Sequence, residues 1–180
     1  IHGSFNSDVL DGDIDALKNM ANSLLSEGTT AFLATTSTVS KEILENSLKN
    51  VCEYMSKYND SSIVLGVHLE GPFISNKYLG AQMKEFVEKP SVNLFKHYNS
   101  LSGNNIKLIS YAPEEDVDYT FTKYLKESLI TASIGHSAAS YQEVVKAINN
   151  GLTCSTHTYN AQKGIHHREV GVVGASMLED

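Results

Sequence analysis

The sequence has 180 residues, 14 Lys and Arg against 21 Asp and Glu, a net charge of −7 and 41% hydrophobic residues. Such a chain has enough apolar residues to bury one core, so intrinsic disorder is disfavoured. The charge balance is acidic, and the Lys and Arg residues are scattered singly. We therefore expect neither a nucleic-acid nor a membrane partner, because both need a concentrated basic surface.

The sequence contains no apolar run near the roughly 20 residues that cross a bilayer, and no signal peptide is recognised. Cys52 and Cys154 do not form a CxxC motif. We expect both to be small buried side chains in a reducing compartment. These features together predict a cytoplasmic location.

Predicted strands and helices alternate along the chain. Apolar or β-branched runs predict strands over 29–35, 63–69, 106–111, 129–134 and 152–156. A further strand is expected to end at Ile1 and His2, which brings the total to six. Helical periodicity and capping residues predict helices that run from Asp11 or Asp13 to Ser26, over 40–58, 91–101 and 114–128, and from Ser137 or Ser140 to Asn149.

This alternation calls for parallel strands joined by right-handed crossovers, the arrangement of an α/β protein. No proline-rich or low-complexity linker interrupts it, so residues 1–180 are predicted to form a single domain. The long non-helical stretch is 71–89, directly after the strand 63–69. A connection of that length is usually a functional loop.

Polar side chains gather at one end of the predicted strands. His2, Glu70, His136 and His157 each stand where a strand ends, and the same ends carry Thr35, Thr36, His68 and Glu114. Both α/β barrels and open doubly wound sheets place their active sites at the carboxyl ends of parallel strands. We therefore expect the functional site at this edge.

Three of these residues, Glu70, His136 and His157, supply one carboxylate and two imidazoles. That donor set suits a catalytic Zn²⁺ or Fe²⁺ with a position left open for water, which favours a hydrolase. The alternative is that each is only a polar residue satisfied at a strand end. Their shared location favours the metal site.

Several motifs, in chain order, carry a resemblance to a known family. They are HLEGPF at 68–73, GAQ at 80–82, GHS at 135–137, THTYNA at 156–161, and the pair Arg168 and Glu169. Together they resemble the N-acetylglucosamine-6-phosphate deacetylase family of the amidohydrolase superfamily. The resemblance implies a TIM-like (β/α)₈ metal-dependent hydrolase barrel, of which about six β/α units are present here.

The resemblance also implies roles for individual residues. Glu70, His136 and His157 match the main metal ligands, and His2 matches a ligand of a second ion, so one or two divalent ions are expected. The implied substrate contacts are Gln82 near the acetamide carbonyl, Asn160 and Ala161 near the sugar phosphate, and Arg168 on the phosphate. His68 is assigned to packing or to support of a ligand.

The implied reaction is hydrolysis of the acetamide of N-acetylglucosamine 6-phosphate, an amino-sugar phosphate, in a full-length protein expected to be a homodimer. The family's catalytic Asp would lie beyond Asp180. Leu79, Gln162 and Val170 depart from the family pattern, which often has Lys, Met and Pro there. Two alternatives stay open: a non-catalytic fragment that binds only metal or sugar phosphate, and a dihydroorotase-like amidohydrolase with another amide substrate.

Overall fold

A computed structural model describes residues 1–58 and 61–179. Over these residues the chain is an α/β fold. Its strands are β1 Gly3–Ser4, β2 Ser7–Asp8, β3 Ala31–Thr35, β4 Ile63–Glu70, β5 Ile106–Tyr111, β6 Thr131–Ile134 and β7 Leu152–Ser155. Its α-helices are α1 Ile14–Leu24, α2 Lys41–Lys57, α3 Val92–Leu101, α4 Thr120–Glu127, α5 Tyr141–Asn150 and α6 Gly171–Leu178.

Strands β3 to β7 form a five-stranded sheet in chain order. Parallel pairing places Thr35 of β3 opposite His68 of β4. In the same way Tyr111 of β5 lies opposite Ile134 of β6, which in turn lies opposite Ser155 of β7. The predicted parallel α/β architecture is confirmed, and the polar strand ends share one edge because the strands run in one direction.

The chain divides into two compact units, Ile1–Glu70 with Asn93–Lys107, and Gly71–Val92 with Leu108–Asp180. The first unit packs α1 and α2 beside β3 and β4. Its fully buried apolar side chains include Leu17, Met20, Leu44, Leu48, Val51, Val64 and Val67. They recur on α2 at the spacing of one helix face, which is why this helix was predictable from sequence. The single domain expected over 1–180 stays a prediction.

The second unit is centred on an aromatic cluster. Phe121 of α4 packs edge-on against Phe73 and Tyr111, with ring centroids 5.2 and 5.5 Å apart. The Tyr111 hydroxyl lies 2.6 Å from Thr122 Oγ1, so the polar end of this buried ring is satisfied. Burial raises the pKa of Tyr111 and keeps its phenol neutral.

Helix ends follow the predicted caps. Of the two alternatives at each helix, Asp13 caps α1 by accepting a bond from the Ala16 amide at 2.7 Å, and Ser140 caps α5 in a capping box with Glu143. Ser40 caps α2. These side chains satisfy amide groups that have no partner within the first turn of a helix.

Helix α4 differs from its predicted range 114–128. The segment after Pro113 forms two short 3₁₀ turns, and the α-helix begins at Thr120. The buried Asp116 carboxylate accepts bonds from the amides of Phe121 and Thr122, at 3.0 and 2.8 Å. The start of the helix is therefore set by Asp116 rather than by the earlier acidic residues.

The strand expected to end at Ile1 and His2 stays a prediction. Among the described residues no strand is assigned at these two positions, although the Ile1 carbonyl accepts a bond from the Thr35 amide at 3.1 Å. Instead β1 and β2 form an antiparallel hairpin. Its turn residues Phe5 and Asn6 both have positive φ, at 52° and 61°, as a tight two-residue hairpin turn requires.

Two further outcomes concern loops and thiols. The predicted loop 71–89 is confirmed, with one 3₁₀ turn at Lys84–Phe86. Cys52 is half-buried, whereas Cys154 is exposed, so the expectation that both are buried was wrong. Among the described residues, no helix combines the length and apolar character that a membrane crossing needs.

Candidate metal centre

His136 and His157 come together at the ends of β6 and β7. The Nε2 atoms of the two rings lie 3.1 Å apart. The rings are perpendicular, with centroids 4.8 Å apart. His136 is buried and His157 is exposed, so the pair reaches solvent through His157.

The other nitrogen of each ring faces a backbone carbonyl. His136 Nδ1 lies 3.1 Å from the Tyr78 oxygen, and His157 Nδ1 lies 3.0 Å from the Asn160 oxygen. A carbonyl oxygen only accepts hydrogen bonds, so Nδ1 is the N–H nitrogen that faces it in each ring. The Nε2 atoms, 3.1 Å apart, are close enough to bind one cation together.

Both histidines have a strained backbone. The φ angle is 49° at His136 and 35° at His157, a region that residues other than glycine seldom occupy. Hydrogen bonds hold both residues there, from the Ser75 amide to the His136 carbonyl and from the Asn160 amide to the His157 carbonyl, each 2.9 Å long. Strain of this kind is concentrated at functional sites.

The loop 71–89 brings Tyr78 to the centre, and Gly80 allows the close approach. Gly80 has φ +56°, and a Cβ atom there would lie 3.5 Å from His136 Cε1 and 3.3 Å from Ala161 Cβ. Ala161 would have to shift slightly to admit a side chain, which would then lie in contact with the His136 ring. The glycine is therefore required both by its conformation and by its packing.

Glu114 supports the backbone that follows His136. Its carboxylate accepts bonds from Ser137 Oγ at 2.7 Å and from the Ala138 amide at 2.5 Å. Removal from water raises the pKa of Glu114, and the bonds it accepts only partly offset that effect. The sequence predicts that Glu114 follows a strand, but it does not predict this supporting role.

Glu70 and His2 meet in the first unit. His2 Nε2 lies 3.4 Å from Glu70 Oε2, and His2 Nδ1 lies 3.2 Å from Ser37 Oγ. Glu70 is buried and His2 is half-buried. His68 is engaged elsewhere, with Nδ1 3.3 Å from Thr35 Oγ1. Its predicted assignment to packing or support is compatible with that contact.

Glu70, His136 and His157 make up a candidate metal-binding set of one carboxylate and two imidazoles. The chemistry of this set fits Zn²⁺ or a related divalent ion, because imidazole nitrogens and carboxylate oxygens are ligands of such ions. Such a set leaves coordination positions open for water and substrate. Among the described residues, it is the one group of three that meets this description.

The other predicted site residues lie in loops of the second unit. Gln82 is half-buried in a turn closed by its amide and the Leu79 carbonyl. Asn160 is exposed beside His157. Ala161 has φ 48°, and its carbonyl accepts a bond from the Ser137 amide at 3.2 Å. Their backbone carbonyls thus contact the His157 ring and the amide of Ser137, the residue after His136.

Arg168 is the single arginine of the sequence and is exposed. Its guanidinium has no hydrogen-bond or ion-pair partner within the part of the chain that the structure describes. The neighbouring rings of His166 and His167 have centroids 4.1 Å apart. Arg168 is thus available to an anion but is not in contact with the histidine pair.

Comparison with known proteins identifies relatives along the whole chain. The N-acetylglucosamine-6-phosphate deacetylase of Bacillus subtilis (strain 168) is 39% identical over 183 residues, covering 100% of this chain and 46% of the relative. That of Lysinibacillus sphaericus is 38% identical over 180 residues, with the same coverages. No protein-family model matches the chain.

A solved structure agrees with the sequence relatives. The N-acetylglucosamine-6-phosphate deacetylase of Thermotoga maritima superimposes with a TM-score of 0.86 at 34% identity, over 100% of this chain and 47% of that one. The chain spans about half the length of the curated relatives it matches. It is therefore related to the N-acetylglucosamine-6-phosphate deacetylases, and along its whole length it corresponds to about half of theirs.

Proposed function

We propose that the protein carrying this sequence hydrolyses the acetamide of N-acetylglucosamine 6-phosphate to give glucosamine 6-phosphate and acetate. The observation that carries the proposal is the histidine pair, whose Nε2 atoms lie 3.1 Å apart while both Nδ1 atoms face backbone carbonyls. The relatives, which bear the name of this activity, support the choice of substrate.

In this proposal Glu70, His136 and His157 hold one divalent ion, with Zn²⁺ and Fe²⁺ as the candidates. When bound, such an ion acts as a Lewis acid and lowers the pKa of water toward neutrality. The protein's contribution is to hold two imidazoles side by side, each with its Nδ1 atom against a backbone carbonyl. His2, 3.4 Å from Glu70, is the residue we assign to a second ion where one is bound.

Substrate recognition is assigned to the loops around the histidine pair. Gln82 donates to the acetamide carbonyl, which stabilises negative charge as it develops on that oxygen. Asn160 and Ala161 approach the sugar phosphate, and the Arg168 guanidinium binds the phosphate through paired charge-assisted hydrogen bonds. The proton shuttle is expected from an Asp beyond Asp180.

The larger architecture is proposed on the same grounds. We infer that the five-stranded sheet is part of a (β/α)₈ barrel of which this chain supplies about six units, and that the full-length protein is a homodimer. The parallel strand order β3 to β7 and the superposition on a relative of about twice the length support the barrel.

The first experiment measures metal content in the purified chain. Glu70→Gln, His136→Asn and His157→Asn should each lower bound Zn²⁺ well below one ion per chain, because each removes a ligand. His97→Asn is the matched control, since His97 is an exposed histidine bonded to Glu45 and outside the site. Unchanged metal content in all three site variants would exclude the proposed centre.

The second experiment measures acetate release by the protein expressed from the complete open reading frame that contains this sequence. N-acetylglucosamine 6-phosphate should be hydrolysed, and the His136→Asn protein should be inactive. Metal binding without hydrolysis of this sugar would favour one of the alternatives, a non-catalytic metal-binding protein or a dihydroorotase-like enzyme. A panel of cyclic and acyl amides then separates those two.

A further inference from the structure

Gln162 is buried, and its carboxamide contacts the ends of two strands. The Nε2 atom donates to the Thr156 carbonyl at 2.7 Å, and it lies 3.3 Å from the Ile134 carbonyl and 3.2 Å from Ser155 Oγ. Thr156 directly precedes His157, and Ile134 stands two residues before His136. One amide group is therefore bonded to both backbone segments that carry the imidazoles.

The backbone on either side of Gln162 reinforces this link. The Ala161 carbonyl accepts a bond from the Ser137 amide at 3.2 Å, and the Lys163 amide donates to the Ser137 carbonyl at 3.0 Å. Ser137 and Gln162 thus form a parallel bridge outside the strands. Because Ser137 follows His136 directly, these two bonds join the residue after His136 to the segment that follows His157.

The Gln162 carboxamide is only partly satisfied. Its Oε1 atom is buried and has no hydrogen-bond partner among the described residues. The amide cannot be turned over to satisfy it, since the two carbonyls can only accept. A buried orphan acceptor carries a cost in stability, which offsets part of what the bonds donated by Nε2 contribute.

We propose that Gln162 is a positioning residue that fixes the spacing of the His136 and His157 Nε2 atoms and thereby raises the affinity of the centre for a divalent ion. The inference rests on the proposed metal function of the two histidines. Gln162 acts through backbone carbonyls rather than on the ion. Outer residues that orient metal ligands commonly change metal affinity by about 10- to 100-fold.

The test uses two substitutions in the 180-residue chain. Gln162→Leu keeps a buried side chain of similar size and loses the donor, and Gln162→Asn keeps an amide that is one methylene too short to span both carbonyls. Both should bind Zn²⁺ about 10- to 100-fold more weakly in a chelator competition and should alter the visible spectrum of the Co²⁺ form.

Thr122→Val is the matched control. Thr122 is buried in the same unit, and its hydroxyl bonds Tyr111 and Asp116 at 2.6 and 2.7 Å. This variant should lose stability and keep its Zn²⁺ affinity and Co²⁺ spectrum. Wild-type metal affinity in both Gln162 variants would overturn the inference. If the wild-type chain bound no metal at all, the proposed function would fail instead, so the two failures are distinguishable.

Discussion

Glu114 holds the backbone after His136 with a carboxylate that is largely removed from water. Burial raises the pKa of Glu114, so over an interval above its ordinary value the folded chain retains a proton that the unfolded chain has lost. The free energy of unfolding therefore falls as pH rises through that interval. The residue that supports the candidate centre is for this reason also a source of pH-dependent stability.

Glu114→Gln removes this titration. The free energy of unfolding of the wild type minus that of the variant should be largest near about pH 4 and should decline as the pH rises toward about 7. Urea denaturation at a series of pH values measures it. Glu85→Gln, at an exposed carboxylate, controls for the loss of one negative charge. A difference that grew with pH would contradict the direction given for Glu114.

Arg168 is the residue we propose for the substrate phosphate, and its guanidinium is exposed and has no partner among the described residues. In the complete protein, Arg168→Ala should raise KM for N-acetylglucosamine 6-phosphate by about tenfold or more, the effect of losing a charged hydrogen bond. KM for unphosphorylated N-acetylglucosamine should stay unchanged. Lys84→Ala, at an exposed lysine in the same unit, is the control. Equal changes with both sugars would remove Arg168 from the phosphate site.

At the scale of elements, the loop 71–89 belongs to the centre even though none of the candidate metal ligands lies in it. It contributes the Tyr78 carbonyl that fixes the His136 tautomer, and Gly80 lets it pack against the ring. A loop that sets the tautomer of a ligand has a part in metal affinity. The conformation of this loop should therefore affect metal affinity, as that of the strands does.

Gly80→Ala tests the loop against a glycine of the same backbone class. Both Gly80 and Gly28 have positive φ, so alanine should cost about 1 kcal/mol of stability at either position. Only Gly80 has neighbours, His136 and Ala161, within 4 Å of the added methyl, whereas Gly28 has none. Zn²⁺ affinity should fall in Gly80→Ala and stay at the wild-type value in Gly28→Ala. Equal metal affinity in both variants would show that the loop is not coupled to His136.

Across the whole molecule, the parts predictable from sequence are those set by neighbouring residues. The caps at Asp13 and Ser140, and the edge shared by His136 and His157, depend on periodicity and on strand direction. The start of α4 depends instead on the Asp116 carboxylate reaching amides five and six residues ahead, and no local pattern reports it.

The same limit applies to the candidate centre. The ligand residue types could be predicted, but the orientation of the His136 and His157 rings depends on carbonyls whose positions follow from the folded loops. Tyr78 lies 58 residues from His136 in the chain, so the contact of that ring with the Tyr78 carbonyl could not be predicted from the sequence. The link made by the Gln162 carboxamide is unpredictable for the same reason, since one acceptor lies at the end of β6 and the other directly after β7.

Metal binding and catalysis should be separable in this chain. The 180-residue chain contains all three proposed ligands, Glu70, His136 and His157, whereas the expected proton shuttle lies beyond Asp180. Loss of a general acid or base lowers a hydrolytic rate by about 10²- to 10⁴-fold. We therefore expect the chain on its own to bind Zn²⁺ and to release acetate from N-acetylglucosamine 6-phosphate at least about 100-fold more slowly than the complete protein does. The Bacillus subtilis relative serves as the positive control in an acetate assay. Acetate release at the rate of the complete protein, abolished by His136→Asn, would mean that the chain supplies the proton transfer itself.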